Sequence, residues 1–126
     1  MRHSVQTALA IDDDNIEIIV SDNASSDGTK ELMQEFDDNR LVYVNTGARL
    51  SMRQNFETAF KASTGDYLIY FGDDDGMLPK QFPYLRRILE ANKPDGLSWI
   101  KATYGWPIEG YGKKTGGVRF YRGSCF

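Results

Sequence analysis

The stretch Asp66–Pro79, DYLIYFGDDDGMLP, decides how the rest of the chain reads. Tyr67 to Phe71 is apolar and rich in aromatic and β-branched residues, which predicts a buried strand. Asp73, Asp74 and Asp75 follow at once, where that strand would emerge from the core. Two unit charges about 5 Å apart repel by roughly 3 kcal/mol at an effective dielectric near 20. Three carboxylates so placed splay into water, take up protons or gather around a cation. A strand ending in such a cluster favours the cation. Mg²⁺ or Mn²⁺ suits it, since both take oxygen ligands and share them with phosphates.

Helical and strand-like patterns alternate on either side of this stretch. Val5, Ala8 and Leu9 fall on one helical face, closed by the acidic turn Asp12 to Asn15. Ile16 to Val20 predicts a strand that Asp22 ends. Asp27-Gly28-Thr29 opens a helix with Leu32, Met33 and Phe36 inward, and Leu41 to Val44 predicts a second strand. Ser51 and Gln54 form a capping box ahead of a helix with the apolar stripe Met52, Phe56, Ala59 and Phe60. Thr64-Gly65 stops it. A further helix turns Phe82, Leu85, Ile88 and Leu89 inward, with Pro83 in its first turn, and Leu97 to Ile100 reads as another strand. Tyr104 to Gly117 is a Gly-rich, aromatic loop, and Val118 to Arg122 reads as one last strand.

Strands separated by helices predict an α/β fold with a mostly parallel sheet flanked by helices. Ligands in open α/β sheets bind at the carboxyl ends of the strands. Asp22 and the triplet Asp73–Asp75 both stand at such ends, so two strands deliver carboxylates to one edge.

Composition sets the outer limits. With 126 residues the chain makes one domain at most, and 40% hydrophobic with 26% charged residues is ordinary for a soluble globular protein. A net charge of −3 gives no basic stripe for nucleic acid. Beyond Gly96, Glu109 is the only acid against Lys101, Lys113, Lys114, Arg119 and Arg122, a tail that reads as a solvated loop or faces an anion. Cys125 is the single cysteine, which excludes an intrachain disulfide and points to a reducing compartment. No apolar run reaches the length of a spanning helix, and the amino terminus lacks the apolar core of a signal peptide. His3 is the only histidine, so triad chemistry has no support. The glycine fingerprint of dinucleotide folds is absent.

Taken together, SDNASSDGT and then SMRQNFETAFKASTGDYLIYFGDDDGMLP resemble the nucleotide-binding half of family 2 glycosyltransferases with the GT-A fold, from about Arg2 to at least Ile100. The order and spacing of the motifs carry the resemblance more than any one of them. It implies a Rossmann-like GT-A half, with residues 1–100 as the nucleotide-sugar-binding part and 101–126 as the start of an acceptor-side part of one partial domain. Asp22 matches the family's acidic contact to the nucleoside. Arg53 and Asn55 lie on its Arg-Asn pair; Arg53 reaches base or phosphate, or is simply a solvated helix charge, and Asn55 supports the loop.

Gly72-Asp73-Asp74-Asp75 sits on the family's acidic metal motif, a DXD-type sequence that often reads Asp-x-Asp-Asp. With Pro79 as the anchor, Gly72 stands where the first Asp usually is. Asp74 falls on the principal metal ligand, Asp73 on a ribose or metal contact, and Asp75 beside them. The departure at Gly72 leaves open which of Asp73 and Asp75 supports Asp74. The implied reaction is inverting transfer of a sugar from a nucleoside diphosphate, UDP being commonest in the family, to a saccharide or lipid-linked acceptor, with Mn²⁺ or Mg²⁺. The implied setting is cell-envelope polysaccharide synthesis in the cytoplasm, with the inner face of the membrane as an alternative.

Two features depart from the family. Its base normally comes well downstream of the metal motif, past Phe126; among the acids after Asp75, only Glu109 stands in the long loop, and it is a weak applicant. The family also opens with a strand and turn that pack on the nucleoside, whereas Arg2 to Ala10 already reads as the following helix. The sheet is therefore expected to lack its first strand, leaving an exposed edge open to self-association. Two other readings remain: a catalytically incomplete nucleotide-binding fragment of the same fold, and a receiver-like or phosphatase-like domain with Asp22 as its only applicant nucleophile.

Overall fold

The computed structural model describes residues 1–98. Two compact units divide the chain, Met1–Ile88 and Leu89–Phe126. The first contains helix α1 (Arg2–Leu9), strand β1 (Ile18–Asp22), helix α2 (Thr29–Gln34), strand β2 (Leu41–Asn45), helix α3 (Met52–Ala62) and a 3₁₀ turn (Pro79–Gln81). Helix α4 (Phe82–Asn92) begins in the first unit and ends in the second.

The local signals act as the residues require. Val5 and Ala8 are buried on α1. Asp27 accepts hydrogen bonds from the Thr29 amide and hydroxyl ahead of α2, and Gly28 at its N-cap takes φ +85°, a conformation that disfavours other residues. The α3 capping box forms in full: the Ser51 hydroxyl accepts from the Gln54 amide, and the Gln54 side chain accepts from the Ser51 amide.

β1 and β2 pair in parallel, Ile18 opposite Leu41 through Asp22 opposite Asn45. The right-handed crossover between parallel strands needs a helix's length of chain, and α2 supplies it. Alternation puts Ile18, Val20 and Asp22 on one sheet face with Leu41, Tyr43 and Asn45. α1 and α2 cover that face, where Val5, Val20 and Met33 form the core with Leu9, Leu32 and Phe36 against it. α3 takes the opposite face: the Ser21 hydroxyl donates to Asn55 Oδ1 at 2.8 Å, and Asn55 Nδ2 donates back to the Ser21 carbonyl at 3.3 Å.

Arg40 sets the direction of α1. Its guanidinium donates to the carbonyls of Leu9, Ile11 and Asp13 and to Asp38, while its own carbonyl accepts from the Ile18 amide at the start of β1. The carboxyl end of α1 therefore lies by the amino end of β1. Helix and strand run antiparallel, and the first turn of α1 stands at the carboxyl edge of the sheet.

One strand expectation fails. Tyr67 to Phe71 joins no ladder, and Tyr67, Leu68, Tyr70 and Phe71 are exposed rather than buried. β-propensity describes fit to a pleated, half-buried surface, and it yields a strand only where a neighbour offers its edge. Here the segment lies on α3 instead: the Tyr70 ring packs on Phe56 at 5.4 Å, and its hydroxyl donates to the Phe56 carbonyl. Among the described residues the sheet has two strands, and none of these residues pairs with the outer edge of β1. Leu97 and Ser98 are not strand either, and the rest of that segment, residues 99–100, lies outside the described residues. The loop at 104–117, the strand at 118–122, Glu109 and Cys125 also lie outside them.

The stripe on α3 is present but bare. Met52, Phe56 and Phe60 are exposed, and α3 buries no side chain fully. Phe82, Leu85, Ile88 and Leu89 on α4 are half-buried.

Candidate functional site at the carboxyl edge of the sheet

Asp22 closes β1 and is only 3% exposed. One carboxylate oxygen accepts from the Ser25 amide at 2.8 Å; the other accepts from the Tyr43 hydroxyl and from Asn45 Nδ2 at 2.9 Å. Burial by itself would raise the carboxyl pKa, but the hydrogen bonds from Ser25, Tyr43 and Asn45 outweigh it and hold it below the ordinary range. The same bond pushes the Tyr43 phenol upward. A carboxylate has about four lone-pair sites, so Asp22 keeps roughly one for a further donor. It is both turn-former and ionised acceptor.

The partners of Asp22 escaped sequence reading. Asn45 is its register partner on β2 and Tyr43 lies two residues back on the same face, so a correct strand pairing would have found both. Asn23 is the other unforeseen residue. Its side chain donates to the Leu50 carbonyl and accepts from the Leu50 amide, bracing the loop that leads into α3 against the end of β1.

The acidic triplet is held from α1. The Ser4 hydroxyl, buried, lies 2.6 Å from the Asp73 carbonyl and 2.7 Å from the Asp75 carbonyl, and Thr7 Oγ1 accepts from the Met77 amide at 3.0 Å. Since the first turn of α1 stands at the carboxyl edge, the acidic loop lies toward the same edge as Asp22. Ser4 and Thr7 sit at i and i+3 on the helix, a polar pair beside Val5 and Ala8 that gave no site signal in the sequence.

A Cβ at position 72 would lie 2.6 Å from Asp74 Oδ1, so a side chain there would require the exposed Asp74 carboxylate to turn aside. The Gly72 amide also donates to Asp75 Oδ2 at 2.9 Å, and its carbonyl accepts from the Asp75 amide. Glycine here lets the acidic turn close on itself. Gly76 is similarly tight against α1, its hypothetical Cβ 3.3 Å from His3 Nε2 and 3.4 Å from Thr7 Oγ1.

No three acidic, histidine or cysteine side chains among the described residues gather closely enough to cage a metal. Asp73 and Asp74 are exposed and Asp75 is half-buried, all with hard oxygen donors. Mg²⁺ commonly takes one or two carboxylates and completes its shell with phosphates and water, so the donor chemistry fits that mode and not an all-protein cage. Arg53 stands in the first turn of α3, just after the loop that Asn23 braces. Its side chain is 87% exposed and pairs with Glu57 one turn on at 3.0 Å, which is the geometry of a solvated helix charge.

Comparison with known proteins adds an independent line. The family model described as glycosyl transferase family 2 matches residues 1–123. The abequosyltransferase RfbV of Salmonella typhimurium (strain LT2) is 32% identical over 80 residues, covering 61% of this chain. That match spans 24% of the length of the Salmonella protein, about a quarter of it. No solved structure matches the chain.

Proposed function

Because the chain belongs to glycosyl transferase family 2, we propose that it carries the donor-binding part of an inverting sugar transferase acting on a nucleoside diphosphate sugar. The observation that supports this reading is the fastening of the Asp73–Asp75 loop to α1 through Ser4 and Thr7, together with the ionised Asp22 at the end of β1. Asp22, ionised and with one acceptor site left, takes a base N–H or ribose hydroxyl. Asp73 would take a ribose hydroxyl, and Asp74 and Asp75 would hold Mn²⁺ or Mg²⁺. The ion, when bound, offsets the negative charge that grows on the departing diphosphate. Arg53 serves the donor only by leaving Glu57, and its exposure makes that rotation inexpensive.

The acceptor is a saccharide or a lipid-linked saccharide, in the manner of envelope polysaccharide synthesis; the likeness to an abequosyltransferase supports the reaction class. No helix among the described residues is long and apolar enough to cross a membrane. The test is thermal. Mn²⁺ and UDP together raise Tm, neither alone does so to the same extent, and Asp74→Ala removes the joint effect while leaving the Tm of the ligand-free protein within a few degrees. Calorimetry on a folded sample that finds no metal-dependent nucleotide binding refutes the proposal.

A further inference from the structure

At the corner where β1 and β2 end, the side-chain donors of Tyr43 and Asn45 are already spent. The Tyr43 hydroxyl gives its single proton to Asp22 Oδ2. Asn45 Nδ2 donates to the same oxygen at 2.9 Å and to the Tyr43 oxygen at 3.1 Å. The Gly47 amide donates to Asn45 Oδ1 at 2.8 Å, which fixes the end of that side chain that faces Asp22. Strand register produces the arrangement: Asp22 lies opposite Asn45 in the parallel ladder, with Tyr43 two residues back on the same face. Oδ2 accepts from both partners and is full. Asp22 Oδ1, Asn45 Oδ1 and the Tyr43 oxygen each keep about one acceptor site.

Resting on the donor-binding reading above, we propose that Tyr43 and Asn45 are positioning residues for Asp22. The three side chains form an acceptor-only seat for a neutral hydroxyl or N–H of the nucleoside, and not for its phosphates. A phosphate oxygen is itself an acceptor and carries negative charge, so it finds no proton here and meets a carboxylate. A sugar hydroxyl or a base N–H brings the proton that the seat lacks. Asp22 is nearly covered, Tyr43 half-buried and Asn45 exposed, so Asn45 is the member most open to an arriving ligand. The charges around the network have the same sign. Asp27, ahead of α2, repels Asp22, and Glu31 on α2 acts on the Tyr43 phenol. The bonds from Tyr43 and Asn45 help to keep the buried Asp22 carboxyl ionised, and an ionised carboxylate is the stronger acceptor.

The experiment is calorimetry on the full chain with Mn²⁺ and, in turn, UDP, CDP and GDP, and with Mn²⁺ and pyrophosphate to read the phosphate end alone. Tyr43→Phe keeps the ring that packs on the core and removes only the hydroxyl. Asn45→Asp keeps the shape and exchanges a donor for an acceptor. Each weakens the nucleoside diphosphate at least about tenfold and leaves pyrophosphate unchanged. NMR of the Asp22 carboxyl carbon supplies a ligand-free readout. Losing a donor to the ionised form raises its titration, so both variants titrate at higher pH than the wild type. Their affinity for the nucleoside diphosphate, relative to pyrophosphate, falls away at correspondingly higher pH. An Asp22 carboxyl that titrates alike in wild type and Tyr43→Phe overturns the positioning role. Equal weakening of pyrophosphate overturns the seat, because it puts the phosphates in this corner. A wild type that binds a nucleoside diphosphate no better than its two variants overturns this inference alone. A wild type that binds none of the three with Mn²⁺ overturns the donor-binding reading as well.

Discussion

Thr7 shows how one hydroxyl reaches from a helix into a site. It accepts from the Met77 amide just past the acidic triplet and donates to the Ser4 carbonyl within its own helix. Thr7→Val removes the acceptor, and hydrogen exchange at the Met77 amide should accelerate roughly five- to tenfold while the α1 amides stay protected. Asp38 shows a charge effect of the same local kind. Hydrogen bonds from the Arg40 side chain and amide hold its carboxyl down to about 2. A depressed carboxyl pKa stabilises the fold fully above the unfolded value, near about 3.9, and that contribution fades as pH falls toward the folded value. Acid unfolding of the wild type should therefore steepen between about pH 4 and pH 2, and Asp38→Asn should flatten that part of the curve. Thr7 did not announce itself in the sequence, because it acts through Met77, a partner distant in the chain.

Elements governed by their own residues were legible in advance. The Ser51–Gln54 box needs four residues and a helix, and it forms as read. Ser51→Ala leaves the Gln54 amide without its acceptor and should lower stability by about 1 kcal/mol in urea unfolding, with an unchanged m-value. The strand at Tyr67–Phe71 went the other way. Its composition was right, but a strand is a relation between two edges, and composition cannot tell whether the second edge is there. The same gap left the α3 stripe uncovered, since periodicity marks an apolar face without naming what packs on it.

The molecule as a whole rests on a small core. Val5, Ala8, Ile11, Ile18, Val20 and Met33 are the buried apolar residues among those described. Met33 stands where α1, α2 and β1 meet, and Met33→Ala should cost about 2–4 kcal/mol, read as a lower urea midpoint. Arg40 ties the carboxyl end of α1 to the start of β1, and that bond pattern fixes which end of the helix faces the acids.

From the sequence by itself came the alternation of helix and strand, the parallel sheet, the family resemblance, and Asp22 and Asp73–Asp75 as the acids at issue. Those follow from local spacing and from side-chain chemistry, which the chain carries wherever it folds. Only the tertiary structure decided that Asp22 spends most of its acceptors on Ser25, Tyr43 and Asn45, that α1 fastens the acidic loop, and that Arg53 turns to Glu57. Each of these depends on the direction in which one element lies across another, and residue spacing along a chain contains no record of that direction.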